Sequence, residues 1–386
     1  MYSFIPIALS ALIGWIAWPC HLLPLAIIAP TIIMRSPSRA TATLSALAYY
    51  LNASSGIPHG AAVFFGPAST MEGFALWLAA SVVNALPWAV LWHRDSFLRF
   101  RAALALIILS IPPLGLVGWA SPLTAAGMFF PGFGFAGLAL TLWLIVRTLN
   151  SVFYSDPIVV TIDVGAMMIT ALLFASLANL VYTEPSTCSM TAIDTHFGGV
   201  ASGSRDYFAE YQRNLSAIDL ASKSKARITV LPETVAGTWT SATTELWKTV
   251  ATHSSGIIAI GAERLLPRNG YENGMVLMNK SGYSFFPQRV PVPVSMWKPW
   301  SKDGARADWF GSGVAQFDRH KIGYLICYEQ LLVWPALITG YNKPDMVLGL
   351  ANGWWAKDTS IPGIQRMSIK SWARLFGWQM VDAINL

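Results

Sequence analysis

Charged residues are scarce in this sequence. Asp, Glu, Lys and Arg make up 12% of the 386 residues, whereas hydrophobic residues make up 54%. Up to about Tyr182 long runs carry almost no charge, and charged residues return at ordinary density after it. This division is unlike that of a soluble enzyme. It predicts a polytopic transmembrane domain over residues 1–185 and a water-soluble domain over residues 190–386.

Clusters of basic residues and of metal ligands are also missing. The net charge of +6 is spread over short loops, which argues against nucleic acid as a partner. The three cysteines, Cys20, Cys188 and Cys327, share no metal-like spacing, so the sequence predicts no metal site. Sequence alone leaves a disulfide between Cys188 and Cys327 open, although a free thiol at Cys327 fits the chemistry described below better.

Long apolar runs fill the first 182 residues. A helix needs about 20 apolar residues to cross the hydrocarbon core of a membrane. We therefore predict a membrane α-helical bundle of about seven spans, near residues 4–18, 20–34, 41–66, 72–92, 102–120, 125–146 and 158–182. The third run is the weakest, because polar residues, glycine and proline interrupt it between Asn52 and Pro58. It could be a broken or re-entrant helix, or a surface loop.

Some of the loops between these runs are basic and others are not. The basic loops contain Arg35 and Arg39, then Arg94, Arg99 and Arg101, then Arg147. The loops at 53–71 and 119–125 contain neither Lys nor Arg. Cytoplasmic loops of membrane proteins are enriched in these two residues. With seven spans, the pattern predicts a multi-pass protein of the bacterial inner membrane whose C-terminal domain is periplasmic.

Short apolar runs alternate with helical patterns after about residue 190. Strands are predicted at Arg227–Leu231, Gly256–Ala262, Tyr271–Met278, Lys321–Cys327 and Met346–Leu350. Helical spacing with few helix-breaking residues occurs at 205–224 and 241–253. Strands that alternate with helices in this way predict a layered α/β domain.

Two of the predicted strands lead into side chains that could react. Glu233, in L-P-E-T-V, could be a partly desolvated general base, or simply a surface carboxylate. Cys327, in L-I-C-Y-E, could be an activated nucleophile, or an inert buried cysteine. Glu329 follows two residues later, where a carboxylate is costly unless it is paired or functional.

A lysine lies among aromatic residues between these two motifs. Lys298, in W-K-P-W at 297–300, could be desolvated there and could stand beside an oxyanion. The alternative is a lysine whose aliphatic stem only covers tryptophan surface. Glutamate, lysine and cysteine thus follow one another in this order along the second half.

The order of Glu233, Lys298 and Cys327 resembles the Glu–Lys–Cys triad of the carbon–nitrogen hydrolase (nitrilase) superfamily. L-P-E-T is similar to the motif around the superfamily's glutamate, and C-Y-E with Pro335 resembles that of apolipoprotein N-acyltransferases. Further similar segments are G-A-E-R at 261–264, Y-E-N-G at 271–274, A-N-G-W-W at 351–355, and Gln365, Arg374 and Asn385. The resemblance implies a four-layer αββα sandwich. The whole layout, with its membrane region, is most similar to the plasmid conjugal-transfer protein TraB family.

The sequence departs from this resemblance in two places. The best register with the acyltransferases places Gln288 at the triad lysine and Met296 at the glutamate that follows it. The cationic role could pass to Lys298 or to Arg289, or it could be lost. The chain also ends earlier than members of the acyltransferase branch. This implies a last layer that is incomplete or supplied by a partner.

The resemblance implies acyl transfer or amide hydrolysis through a thioester on Cys327, without a cofactor. Glu233 would take the thiol proton, and Lys298 or Arg289 would stabilise the oxyanion. A membrane lipid would donate the acyl group to an amine of a periplasmic protein or peptide, with components of a conjugation apparatus as further partners. The rival interpretation is a catalytically weak membrane assembly factor of that apparatus. The departures disfavour a housekeeping apolipoprotein N-acyltransferase.

Overall fold

The structure is a computed structural model. It describes residues 4–94, 97–149, 169–170, 173–199, 207–254, 256–267 and 269–386. As far as it is described, the chain is helical up to residue 181, and two β-sheets with flanking helices follow. The division between a helical and a mixed α/β half therefore falls where the charge density changes.

The first half is built from helices of very different length. They are α1 (Phe4–Ala17), α2 (Ala29–Met34), α3 (Arg39–Ala53), α4 (Ile57–Phe65), α5 (Thr70–Leu91), α6 (Leu98–Ile108), α7 (Ala126–Phe129), α8 (Gly134–Thr148) and α9 (173–181). Short 3-10 helices lie at Leu23–Ile28, Pro67–Ser69, Leu114–Leu116 and Pro122–Ala125. Most of these elements are shorter than the roughly 20 residues that a single span requires.

The predicted seven-span bundle is not confirmed. Among the described residues, one helix, Pro67–Leu91, is long and apolar enough to cross a membrane, with a mean hydropathy of 1.8. Pro122–Phe129 and Gly134–Thr148 together pass the same test but are bent by 118° relative to one another. The predicted span at 158–182 lies largely outside the described residues.

Prolines and polar residues break the apolar runs that the sequence offers as spans. The third run divides into α3 and α4 around Ser54–Gly56, as the broken-helix interpretation allowed. Helix α6 ends at Ile108, shortly before Pro112 and Pro113, which have no backbone N–H to continue a helix. The run at 20–34 starts as a 3-10 helix with a proline in its first turn.

The helical half exposes many large apolar side chains. Two-thirds or more of the surface is exposed at Phe4, Met71, Val90, Phe100 and Leu180. Its buried interior combines small residues, such as Ala42 and Ala102, with large ones, such as Trp18 and Trp88. At Gly14 the backbone of Tyr49 leaves no room for a Cβ, so α1 and α3 pack closely.

The second half contains two sheets. Its strands are β1 (Met190–Ala192), β2 (Ile228–Val230), β3 (Ile257–Leu265), β4 (Tyr271–Asn279), β5 (Gly282–Pro287), β6 (Val314–Phe317), β7 (His320–Ile326), β8 (Met346–Asn352) and β9 (Gln379–Asn385). The first sheet has the order β1-β2-β3-β4-β5, and the second β6-β7-β8-β9. Within the first sheet β1 to β3 run parallel, and within the second β7 to β9 do.

The two sheets pack face to face between two helical layers. The helices are α10 (Tyr207–Ser222), α11 (Ser241–His253), α12 (Val333–Tyr341) and α13 (Ile361–Phe376). Val230 of the first sheet and Leu348 of the second belong to one buried core between the sheets. Trp247 of α11 covers the outer face of the first sheet, and Trp372 of α13 that of the second. The predicted αββα sandwich is therefore confirmed, whereas a last layer that is incomplete or supplied by a partner stays a prediction.

All five predicted strands are present, with small shifts at their ends. The predicted helices at 205–224 and 241–253 correspond to α10 and α11. Four strands had no sequence signal: β1, β5, β6 and β9. Of these, β9 closes the second sheet by pairing in parallel with β8 over its whole length.

Helix α13 connects the two halves. On one side Trp372 packs on the second sheet, and on the other Ser371 donates a hydrogen bond to the carbonyl of Thr124. Gly127 of α7 lies so close to the Ser371 carbonyl that a Cβ would collide with it. Arg374 reaches Glu184 and the amide oxygen of Asn179. The sandwich thus packs directly against the bent segment of the helical half.

Candidate active site

Glu233 lies just beyond the end of β2, inside the sandwich. Only 4% of its surface is exposed. The chain turns sharply there, with Thr234 at a φ of 54°, in the left-handed region that L-residues seldom adopt. Gly261 of the neighbouring β3 has no room for a Cβ, because the backbone of Pro232 and Glu233 fills that space. Backbone packing therefore fixes the carboxylate at the strand end.

Cys327 follows the last residue of β7 directly and begins a 3-10 helix, Cys327–Leu331. It is 6% exposed, and its φ is 49°. A non-glycine residue in this region stores backbone strain of about 1–3 kcal/mol, and such strain clusters at functional sites. The thiol is free, as the sequence interpretation favoured.

The structure brings Glu233 and Cys327 together. The Cys327 thiol and the Glu233 carboxylate lie close enough for each to shift the pKa of the other. The backbone N–H of Asn352, the last residue of β8, lies close enough to lower the pKa of both groups. Gln365 of α13 places its Nε2 3.7 Å from Cys327 Sγ. A carboxylate, a thiol and two N–H donors therefore meet where β2, β7 and β8 end.

Two amides extend this site on the far side of Glu233. Asn273 of β4 donates from Nδ2 to Glu233 Oε1 at 2.6 Å and to Gln288 Oε1 at 2.8 Å. Gln288, which follows β5, donates from Nε2 to the carbonyl of Ile326 at 3.0 Å. The residue that aligns with the superfamily's lysine is thus in the site, but as a neutral amide.

Burial dominates the electrostatics of the pair. It raises the pKa of Glu233 to about 7, and the hydrogen bonds from Cys327, Asn273 and Asn352 oppose this rise only in part. Burial, followed by the nearby carboxylate of Glu233, raises the pKa of the Cys327 thiol well above its ordinary value. The resting thiol is therefore protonated, and Glu233 titrates near neutral pH, where a general base is most effective.

Arg289 and Glu329 form a buried pair beside the nucleophile. Their exposed fractions are 2% and 0%, and Arg289 Nε lies 3.3 Å from Glu329 Oε1. The guanidinium also donates to the carbonyls of Tyr324 and Pro335. Glu329 accepts from the backbone N–H groups of Arg289, Val290 and Ile326. These contacts occupy both charges and hold the Cys327 turn to the segment after β5, so Arg289 has a positioning role here.

Lys298 does not join the contacts of the reactive pair. It is half-buried in the loop after β5, and among the described residues its side chain makes no hydrogen bond or ion pair with Glu233 or Cys327. Its neighbour Trp297 packs edge to face with Trp309, which lies against the helical half.

Four neutral residues that contribute to this site were not assigned to it from sequence. They are Asn273, Gln288, Asn352 and Gln365. All four occur in segments with a superfamily resemblance, and each lies at or near a strand end or on the helix facing it. Their occurrence in these segments, close to strand ends, is the feature of the sequence that could have predicted a place in the site. Among the described residues there is no group of three or more His, Cys, Asp or Glu side chains that could hold a metal ion.

Two curated proteins resemble this chain over almost its whole length. It is 34% identical to a probable conjugal transfer protein TraB from Sinorhizobium fredii, over 97% of this chain and 96% of that protein. It is also 34% identical to the conjugal transfer protein TraB of Agrobacterium fabrum, over 98% of this chain and 92% of that protein. No protein-family model matches the sequence.

Solved structures with some likeness include an amidase of the nitrilase superfamily and a carbon–nitrogen hydrolase. An amidase from Nesterenkonia is 13% identical, with a TM-score of 0.38 over 51% of this chain and 78% of that one. A carbon–nitrogen hydrolase from Helicobacter pylori is 12% identical, with a TM-score of 0.37 over 50% and 73%. The assignment of the chain comes from its full-length relatives: it belongs to the family of conjugal transfer protein TraB.

Proposed function

We propose that this chain is a membrane-bound acyltransferase or amidase-like protein of plasmid conjugal transfer, and that it acts through a thioester on Cys327. The observation that carries the proposal is the buried thiol of Cys327, on a strained turn, beside the buried carboxylate of Glu233. A desolvated carboxylate and a strained cysteine both lower stability, and a purely structural core would be more stable without them.

The chemistry follows from the contacts of the pair. Glu233 accepts the thiol proton while Cys327 Sγ bonds to the acyl carbonyl carbon, and the carbonyl oxygen takes up the negative charge. The N–H groups of Asn352 and Gln365 lie beside Sγ and can donate to that oxygen. The oxyanion then collapses, the bond between the carbonyl carbon and the leaving alcohol or amine breaks, and Glu233 returns the proton to the leaving group. An incoming amine or water attacks the thioester and loses a proton to Glu233. The C–S bond breaks, and Glu233 passes that proton to the Cys327 thiolate.

The outward-facing apolar side chains of the helical half support a place in the membrane. The charge pattern of the loops supports a periplasmic sandwich domain on an inner-membrane protein. In that setting the donor is a membrane lipid with an ester-linked acyl chain, and the acceptor is an amine of a periplasmic protein or peptide. The names of the two full-length relatives support a role in conjugal transfer, with components of the conjugation apparatus as partners.

A second candidate function is a membrane assembly factor of the conjugation apparatus with little or no catalysis. One observation favours it: the position that aligns with the superfamily's lysine is the neutral Gln288, and Lys298 makes no contact with the pair. Without a cation, the oxyanion is stabilised only by N–H dipoles, and this slows the reaction.

Mating assays with matched variants separate the two candidates. Cys327→Ser and Glu233→Gln each remove one partner of the reactive pair, whereas Cys188→Ser removes an exposed thiol just before β1. The enzyme predicts loss of plasmid transfer with the first two variants at normal protein level and full transfer with Cys188→Ser. Full transfer with all three variants would contradict the enzyme and support the assembly factor.

A further inference from the structure

The reactive pair has no positively charged hydrogen-bond partner among the described residues. Glu233 accepts from the side chain of Asn273, Cys327 from that of Gln365, and the backbone N–H of Asn352 lies beside both; all of these groups are neutral. The buried guanidinium of Arg289 interacts with Glu329 and with two backbone carbonyls instead. The geometry of the pair must therefore be held by hydrogen bonds between neutral groups.

Gln288 is the centre of that arrangement. It is 1% exposed, and both ends of its amide are used. Oε1 accepts from Asn273, which also holds Glu233, and Nε2 donates to the carbonyl of Ile326. Three hydrogen bonds in series thus connect the Glu233 carboxylate to the residue immediately before Cys327. They cross from the first sheet to the second and connect the base to the strand that carries the nucleophile, beside the Arg289–Glu329 pair.

We propose that Gln288 and Asn273 are positioning residues, which hold Glu233 at the Cys327 turn by hydrogen bonds alone and leave the pair without a compensating positive charge. The inference rests on the proposed function, because it assigns roles for that reaction. If the two amides have this role, the charge at position 288 must affect the pKa values of Glu233 and Cys327. The burial that raises the pKa of both groups acts in the same direction as the missing cation.

A lysine at position 288 can test this directly. A positive charge within about 4–6 Å lowers the pKa of an acid by roughly 1–3 units. The Oδ1 atom of Asn273 is buried without a hydrogen-bond partner among the described residues, so the introduced ammonium has an acceptor at hand after rotation of that amide. Gln316 is exposed on β6 of the same domain, and Gln316→Lys is the matched control for net charge.

The readout is the pH dependence of Cys327 alkylation by iodoacetamide in the full-length protein. The other two cysteines are exposed, so a Cys20→Ser/Cys188→Ser background leaves one thiol. We expect Gln288→Lys to lower the midpoint of the alkylation profile by about one unit or more and to raise the rate near pH 7 about tenfold. Gln316→Lys should leave the midpoint where it is in the background protein.

An isosteric variant covers the case in which Gln288→Lys fails to fold. Asn273→Asp adds a negative charge next to Glu233 and should move the midpoint upward. An unchanged midpoint in a folded Gln288→Lys or Asn273→Asp protein would overturn the proposal. Alkylation needs no acyl donor, so the outcome is independent of the proposed reaction. A protein whose midpoint shifts as expected but that never forms an acyl adduct would contradict the proposed function alone.

Discussion

Glu233 occupies a position that is unfavourable for a carboxylate, and its surroundings compensate only in part. Burial raises its pKa to about 7, whereas three hydrogen bonds lower it. In the unfolded chain the carboxyl group titrates near 4.5. Between these two pH values the folded state binds more protons than the unfolded state, so stability must fall as the pH rises through this window.

Glu233→Gln should remove that pH dependence. The lost stability amounts to roughly 3 kcal/mol by about pH 8, because one pKa unit corresponds to about 1.4 kcal/mol. We expect the melting temperature of the variant, relative to the wild type, to be clearly higher at about pH 8 than at about pH 5. A difference between the two proteins that is the same at both pH values would contradict a raised pKa at Glu233.

The sequence predicts two residues of the site well and a third poorly. Glu233 and Cys327 both follow short apolar strands, and α/β folds place reactive groups at such strand ends, so both residues could be identified. Lys298 resembles the triad lysine only in residue type. In a long loop, residue type does not determine where a side chain lies. The neutral contacts of Asn273 and Gln288 depend on how two sheets face one another, which no local pattern encodes.

At the scale of elements, the Arg289–Glu329 pair connects the segment after β5 to the turn that carries Cys327. Both charges are removed from water and satisfy backbone groups as well as each other. Removing one partner of such a pair leaves an uncompensated buried charge, which is strongly destabilising.

Glu329→Ala should therefore lower the free energy of unfolding by about 3–5 kcal/mol. Denaturant unfolding of the purified protein measures this, with Glu245→Ala as the control. Glu245 forms an exposed pair with Lys248 on α11, and the loss of such a pair changes stability little. Equal effects of the two substitutions would show that the buried pair does not hold the Cys327 turn in place.

The strands that could be predicted are those with continuous apolar runs. In β3, β4, β7 and β8 most residues are buried, as expected for strands covered on both faces. In β5 no residue is buried, and β1 has only three residues. These two strands form because a neighbouring strand pairs with them, and their own sequences do not predict them.

At the scale of the whole molecule, α13 makes the two halves one packed unit. It covers the second sheet, supplies Gln365 to the reactive pair and touches α7 at Gly127. The change in charge density predicts where the halves meet. The helices break near Gly56 and before Pro112 and Pro113. Mean hydropathy does not predict these breaks, because apolar composition does not reveal where a helix bends.

Gly127→Leu should separate the halves. The added side chain collides with the Ser371 carbonyl, so α7 and α13 cannot keep their distance. We expect a lower melting temperature in detergent and faster proteolysis between the halves, near residues 185–190. Ala79→Leu, the control, enlarges an exposed residue on the outward face of α5 and should change neither. Equal stability of the two variants would contradict the packed contact between α7 and α13.

The central claim is that Cys327 carries an acyl group as a thioester, with Glu233 as its base. Intact-mass analysis of the membrane-purified protein tests this most directly, with Cys327→Ser and Glu233→Gln in parallel. The account predicts an added mass of a lipid acyl chain on the wild type that hydroxylamine removes, and no such mass on either variant. An unmodified wild-type protein after incubation with phospholipid vesicles, or an equal adduct on Cys327→Ser, would contradict it.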